Sequence, residues 1–278
     1  MARRRPLSYG EYLSLDELLD IQRLVSKPRQ HDEVLFIIAH QTYELWFKLM
    51  LNELETAISH MLADNLAEAT RLIRRVVPVQ RVLIDQLEVL ETIRPADFLT
   101  FRSILQPASG FQSLQFRELE FVSGQKDERF LKLHSGNEKD YEQLLKRWEA
   151  PSLWDGFRTV LEERGFDVGR KEKGSEARNF ELEVEACLKV FTEGKYLHVA
   201  ELAEVMLEYD KSFQLWRSHH IMMVERVIGG RIGTGQKIVN KTVGQASFGQ
   251  SGVEYLQTTM GKRFFPALWA ARTRIGQS

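Results

Sequence analysis

Seven histidines punctuate the chain: His31, His40, His60, His134, His198, His219 and His220. None forms the His-Glu-x-x-His pattern that would set two imidazoles and a carboxylate around a zinc ion. The single cysteine, Cys187, excludes an intrachain disulfide and any multi-thiolate metal site. His40 and His220 stand apart because each falls on an apolar helical stripe, His40 with Phe36 and Phe47, His220 with Phe213, Trp216 and Met223. A lone histidine on such a face is more often a hydrogen-bonded core residue than a ligand. Two in one helical chain shift that balance, because helical proteins build cofactor sites between facing helices and imidazole is a common axial ligand of haem iron. His219 is the competitor to His220. It points about 100° away around the helix, toward Leu215, Met222 and Arg226, on a mixed and more exposed face.

Two other groups could do chemistry. Arg102 shares a short helix with Phe98, Phe101 and Leu105. It is either a surface arginine whose stem covers apolar neighbours or a guanidinium fork ready for a carboxylate in an aromatic pocket. Gly233-Thr234-Gly235 could offer backbone N–H groups and a hydroxyl to an anionic or zwitterionic ligand, or be only a flexible helix exit. The surrounding Gly-Arg-Ile-Gly-Thr-Gly-Gln-Lys superficially suggests a phosphate loop. Gln236 nevertheless separates the last glycine from Lys237, and no strand precedes it.

Helices must position these groups. Only seven prolines occur in 278 residues, and none lies between Pro151 and Pro266, which favours long helices over strands and turns. From Val34 onward, Leu35, Ile38, Leu45 and Leu49 make one stripe, while Phe36, His40, Tyr43, Phe47, Leu51 and Leu54 make a second, so the helix should be buried on most of its surface. Asp32 is its expected N-cap, and Asp64 that of a second helix running to about Ile93, kinked or divided at Pro78. Pro95 opens a short helix over 96–105, residues 107–110 break the pattern, and 111–122 resume it. The longest clean helix is 199–228, with Leu202, Val205, Tyr209, Phe213, Trp216, His220, Met223 and Val227 in line. Residues 162–176 read as an exposed connection, and 229–252, with seven glycines, as an unusually long loop. The expected fold is one all-α, helical bundle-like domain over residues 1–278.

Composition narrows the partners. The chain carries 38 Lys plus Arg against 39 Asp plus Glu, for a net charge of −1, so nucleic-acid binding lacks its basic surplus. No apolar run approaches the roughly 20 residues of a spanning helix. Arg3, Arg4 and Arg5 are followed by Pro6 and Tyr9-Gly10-Glu11-Tyr12 rather than an apolar signal core. A cytoplasmic location, with no nucleic-acid or membrane partner, is expected.

Several separated motifs together resemble the tryptophan 2,3-dioxygenase family: Leu7-Ser8-Tyr9-Gly10-Glu11-Tyr12-Leu13, Phe36-Ile37-Ile38-Ala39-His40-Gln41-Thr42-Tyr43-Glu44-Leu45-Trp46, and Pro107-Ala108-Ser109-Gly110-Phe111-Gln112-Ser113-Leu114-Gln115. Leu215-Trp216-Arg217 followed by His220, then Arg226-Val227-Ile228-Gly229 and Gly233-Thr234-Gly235, is similar to that family's haem-ligand helix and substrate loop. Phe264-Phe265-Pro266 and Leu268-Trp269 also fit, so the resemblance spans about residues 7–273, weakest across 124–196.

The resemblance implies an all-helical homotetramer with haem b between its helices, inserting both atoms of O₂ across the indole C2–C3 bond of L-tryptophan to give N-formylkynurenine. Under it, His220 is the proximal iron ligand and His40 the distal residue meeting the indole N–H. Phe36 and Phe98 wall the indole, Arg102 clamps the carboxylate, and Thr234 contacts the charged groups of the amino acid. Ser109 and Gly110 line the distal haem face. Tyr9 and Tyr12, on an arm over residues 1–30, reach a neighbouring subunit's site. One departure stands out: after Gly235 the family's pattern continues directly with Ser-Gly, whereas here residues 236–250 precede Ser251-Gly252. Because this insert follows the substrate loop, the alternative activity is oxygenation of a substituted tryptophan, or mono-oxygenation to an oxindole rather than ring cleavage. A non-catalytic haem or gas-binding protein would have no use for Arg102, Thr234, Tyr9 and Tyr12 together.

Overall fold

Tyr43, Phe47, Met50, Leu51, Leu54, Ala57, Ile58 and Met61 recur at three- and four-residue intervals, and all are buried. They form the inner face of α3 (Asp32–Leu62), one of three long helices that carry the molecule. The others are α4 (Leu66–Leu90) and α11 (Leu197–Ile228). The structure is a computed structural model. It describes residues 6–170, 174–229, 231 and 252–277, so Thr234, its flanking Gly233 and Gly235, and the 236–250 insert lie outside the described residues.

Cross-links fix the directions of the long helices. Arg75 pairs with Glu53 at 3.1 Å, and Gln86 Nε2 donates to the Ala39 carbonyl at 2.6 Å, so α3 and α4 run antiparallel. Arg81 meets Glu208 at 3.2 Å and Arg226 meets Glu91 at 2.9 Å, so α4 and α11 run parallel. The start of α3 and the ends of α4 and α11 therefore gather at one end of the bundle. Between them lie fully buried Leu54, Ile73, Val76, Leu202 and Met206, each stabilising the fold by about 1.5–3 kcal/mol relative to exposure.

Shorter helices close the sides. Two near the N-terminus, α1 (Tyr9–Leu13) and α2 (Leu15–Leu18), bury no residue. The cavity end is capped by α5 (Pro95–Arg102), the 3₁₀ turn Gly110–Gln112 and α6 (Leu114–Val122). Helices α7 (Glu128–His134) and α8 (Glu138–Glu149) enclose a small second cluster of Phe121, Phe130, Leu131 and Leu144. Helix α9 (Leu153–Glu163) crosses α3 closely at Gly156, where a Cβ would come within 3.0 Å of Met61 Sδ. Next come α10 (Glu176–Thr192), α12 (Gly252–Thr258) and α13 (Pro266–Arg274), with α10 packed on α13. Among the described residues there is no strand, and no helix is long and apolar enough to cross a membrane. One continuous core holds residues from Ala39 to Ala271.

The structure corrects several local expectations. Asp32 does not cap α3 but is its first residue, after His31; with Glu33 it sets negative charge at the positive helix end. Glu33 in turn accepts from the Val25 N–H at 2.7 Å and the Ser26 N–H at 3.1 Å, docking the incoming chain. Asn65, not Asp64, caps α4, because Asp64 takes the left-handed turn conformation (φ 53). Helix α4 passes Pro78 undivided, since packing on both neighbouring helices outweighs the missing hydrogen bond. The short helix ends at Arg102 rather than Leu105. The outer stripe of α3 is only half covered: Leu35 and Leu49 pack against the core, but Ile38 and Leu45 are 44% and 52% exposed. The 162–176 connection is not wholly exposed either, since Val168 is buried and Phe166 packs on Tyr196.

Candidate active site between two facing histidines

At the gathered end of the three long helices lies a cavity of about 700 Å³, within the range of small-molecule sites. Its lining includes Phe36, His40, Phe98, Arg102, Ser109, Gly110 and His220. Seven residues chosen from the sequence are thus brought together from α3, α5, the 3₁₀ turn and α11. Tyr9 and Tyr12 are not among the lining residues; on the arm they are 76% and 74% exposed.

His40 opens onto the cavity from α3, one turn after Phe36, whose ring centroid is 4.1 Å from the imidazole. Its Nδ1 lies 2.7 Å from the Phe36 carbonyl oxygen. A carbonyl can only accept, so Nδ1 carries the proton and Nε2 is the ring's acceptor. The enclosing protein pushes the His40 pKa below its ordinary value, although the Phe36 carbonyl and Glu44 pull the other way. Phe98 stands 5.4 Å from Phe36 by ring centroids and edge-on to Phe101, giving the cavity an aromatic wall. Arg102, at the end of α5, is partly buried. Burial lowers its pKa, and the nearby Arg231 lowers it further, yet a guanidinium stays cationic in a protein.

His220 faces this group from α11. Burial pushes its pKa down to about 4, with a smaller contribution from His40. Its imidazole is therefore neutral, the form that binds metals. Its Nδ1 is buried without a hydrogen-bond partner among the described residues. Trp216, one turn earlier, stacks on it with centroids 5.0 Å apart and planes at 15°. His219 is exposed, as its position on the helix predicts.

A buried charge network flanks the cavity. Glu120 accepts from Arg117 at 2.6 Å and from Arg217 at 3.0 Å, so two guanidiniums share one carboxylate. Arg217 also donates to Gln125 Oε1 at 2.9 Å and to the Lys262 carbonyl at 2.9 Å, tying α11 to the segment after α12.

Known proteins resemble this chain along nearly its whole length. A model of the tryptophan 2,3-dioxygenase family matches residues 2–163. Tryptophan 2,3-dioxygenase of Nocardioides sp. (strain ATCC BAA-499 / JS614) is 41% identical over 276 residues, 97% of this chain and 95% of its own. That of Kineococcus radiotolerans is 40% identical over 277 residues, 98% of this chain and 92% of its own. That of Xanthomonas campestris pv. campestris is 37% identical over 275 residues, 97% of this chain and 88% of its own. The chain belongs to the tryptophan 2,3-dioxygenase family.

For a member of the tryptophan 2,3-dioxygenase family, the test is whether these residues suit a haem. Among the described residues no cluster of three or more His, Cys, Asp or Glu could hold a bare metal ion. A single neutral histidine in an apolar cavity instead suits iron carried in a macrocycle. Gly110 lines the cavity, and a Cβ built there would meet no atom within 4 Å, so only a ligand would feel a side chain at that point. Arg117, buried and also lining the cavity, suits an anionic edge such as a propionate. The residues fit the group.

Sequence reasoning gave no role to Tyr43, Glu44, Arg117, Glu120 or Arg217, all of which line the same cavity. Helical spacing held part of the signal: Tyr43 and Glu44 follow His40 by three and four residues, and Arg217 precedes His220 by three. The sharing of Glu120 by Arg117 and Arg217 from two helices had no sequence signature.

Proposed function

We propose that this chain catalyses the O₂-dependent opening of the indole ring of L-tryptophan, giving N-formylkynurenine, with haem b held between His40 and His220. The observation that carries the reading is the placement of a neutral His220, a proton-accepting His40 and a cationic Arg102 around one aromatic cavity.

His220 would hold the haem iron through its neutral imidazole, and Arg117 would pair with an anionic substituent of the haem. The haem, when bound, supplies the binding and activation of O₂. The protein's part is recognition and orientation. Phe36 and Phe98 hold the indole ring, while Nε2 of His40 accepts a hydrogen bond from its N–H. Arg102 clamps the carboxylate, which fixes the direction of the ring within the cavity. Ser109 and Gly110 shape the face on which O₂ and indole meet. Both oxygen atoms enter the product, so the net reaction needs no external reductant.

The finer assignments complete the reading. Thr234 would contact the charged groups of the amino acid, and the segment over 229–252 would close over the pocket when an amino acid binds and exclude water. The arm over residues 1–30 exposes Leu7, Tyr9, Tyr12 and Leu19. In a homotetramer it would carry Tyr9 and Tyr12 to a neighbour's site. The whole of 1–278 would act as one domain, in the cytoplasm.

The test is a product assay on haem-loaded, anaerobically reduced protein given L-tryptophan and then O₂. Gain of two oxygen atoms with a kynurenine-type absorbance is the expected result. Gain of one atom would move the assignment to oxindole formation, and no gain would remove the oxygenase reading.

A further inference from the structure

Glu44 belongs to the cavity wall, yet the reaction outlined above gives it no task. It follows His40 by one turn on α3. Three hydrogen bonds from the start of α6 converge on it. Ser113 Oγ donates to Oε1 at 2.7 Å, and Gln115 Nε2 donates to Oε2 at 2.8 Å and to the Glu44 backbone carbonyl at 2.9 Å.

The chain of bonds continues into the cavity. Ser113 caps α6 by accepting from the Phe116 N–H at 3.2 Å, and its own N–H donates to the Gly110 carbonyl at 3.1 Å. Gly110 and Ser109 then line the same space as His40. One carboxylate thus connects the helix that presents His40 to the turn that forms another wall of the site. Both of its oxygens accept from neutral donors, and hydrogen bonds to an ionised acceptor are about twice as strong as neutral pairs.

We infer that Glu44 is a positioning residue for the oxygenase reaction: through Ser113 and Gln115 it sets the separation between His40 and the Ser109–Gly110 turn. This rests on the function proposed above. Substrate and O₂ have to share the space between these walls, and a shift of a fraction of an ångström there changes orientation more than fold stability. A carboxylate suits the task better than an amide, because glutamine would turn an N–H₂ group toward one of the two donors.

The experiment compares Glu44→Ala, Glu44→Gln, Ser113→Ala and the Glu44→Ala/Ser113→Ala double variant in the full-length, haem-loaded protein. The measurements are KM and kcat for L-tryptophan, thermal melting, and the C–O stretching band of the ferrous carbon monoxide complex, which reports the walls around the bound diatomic. Glu44→Ala, which removes both hydrogen bonds to the carboxylate, is expected to raise KM about threefold, less than loss of the His40 hydrogen bond itself, with a smaller change in kcat. It should also shift or broaden the C–O band. Glu44→Gln should recover part of both effects, and the double variant should be no worse than Glu44→Ala alone, because the two side chains act as one unit. A lowered melting temperature with unchanged KM and an unmoved C–O band would reduce Glu44 to a strut and overturn the inference, as would additive effects in the double variant. If the native protein fails to oxidise tryptophan, the function proposed above falls. The C–O band then decides the role of Glu44 by itself.

Discussion

Trp216 presents one face to His220 and the edge of its indole to the opposite helix, where its Nε1–H lies 3.4 Å from the Tyr43 hydroxyl. The Tyr43 hydroxyl in turn donates a hydrogen bond to the Leu83 carbonyl on α4. Tyr43 stands three residues after His40, and Trp216 four before His220, so the two histidine-bearing helices are joined one turn from the residues that face each other. The gap between them is set by protein contacts. A site of this kind is largely preformed, and its ligand need not supply the energy of assembling it.

Replacing Tyr43 with phenylalanine should therefore be costly. The Trp216 N–H and the Leu83 carbonyl would lose a buried partner, destabilising the protein by about 1–3 kcal/mol. Chemical denaturation of the two proteins measures this, and the haem dissociation rate should rise in parallel. An unchanged midpoint would show that the hydroxyl is not a structural link.

His220→Ala should lose most bound haem, whereas His219→Ala should retain it. His220 lines the cavity beside its stacked Trp216, and His219 is exposed on the outside of α11. Haem content per chain after reconstitution, read by absorbance, is the measurement. Equal retention in both variants would contradict the axial assignment.

Arg102 and His40 should differ in kind. Loss of Arg102 leaves a carboxylate unpaired in an aromatic cavity and should weaken tryptophan binding by roughly 2–5 kcal/mol. Loss of His40 removes one hydrogen bond to a neutral N–H, worth about 0.5–1.5 kcal/mol. KM should thus rise far more in Arg102→Ala than in His40→Ala. Similar rises would place the carboxylate clamp elsewhere.

How much of this was legible in the sequence depends on how local the cause is. The stripe from Leu202 to Val227 runs along one helix, so its burial and the choice of His220 over His219 followed from spacing alone. His40 and Phe36 sit on a single stripe and were found the same way. The outer stripe of α3 misled, because Ile38 and Leu45 share its period but face away from this protomer's core. Pro78 misled because its penalty is local, while the contacts that outweigh it come from α3 and α11. Glu120, shared by Arg117 and Arg217 from two helices, could be found only once α6 and α11 were placed. Spacing alone left Arg102 open between surface stem and clamp; its place with Phe98 in the cavity lining depends on how α5 docks, which no local pattern reveals.

His134 gives the fold an acid sensitivity. It is buried with Nε2 unpartnered among the described residues, and burial lowers its pKa; Arg117 lowers it further, while Asp140 partly opposes the shift. Because the folded value lies below the unfolded one, the unfolded chain takes up the proton first as the pH falls. The stability associated with neutral His134 is whole above about pH 6.5 and is lost progressively below it. His134→Leu should accordingly show a smaller fall in melting temperature than the native protein between about pH 7 and about pH 5. Identical slopes would mean that His134 is protonated in the fold at no cost.

Asp210, wholly buried on α11, accepts from the backbone N–H groups of Phe264 and Phe265 at 3.1 and 3.3 Å and from Trp269 Nε1 at 2.9 Å. Phe265, Leu268 and Ala271 fill the centre of the core beside it. These residues leave the ribosome after every helix they pack against. Until they emerge, Asp210 stays hydrated and Tyr209 and Phe213 stay uncovered, so the nascent chain lacks this part of its core. The bundle is thus completed only when residues 264–271 pack on α11, and a chain cut short near residue 263 would stay open to proteolysis.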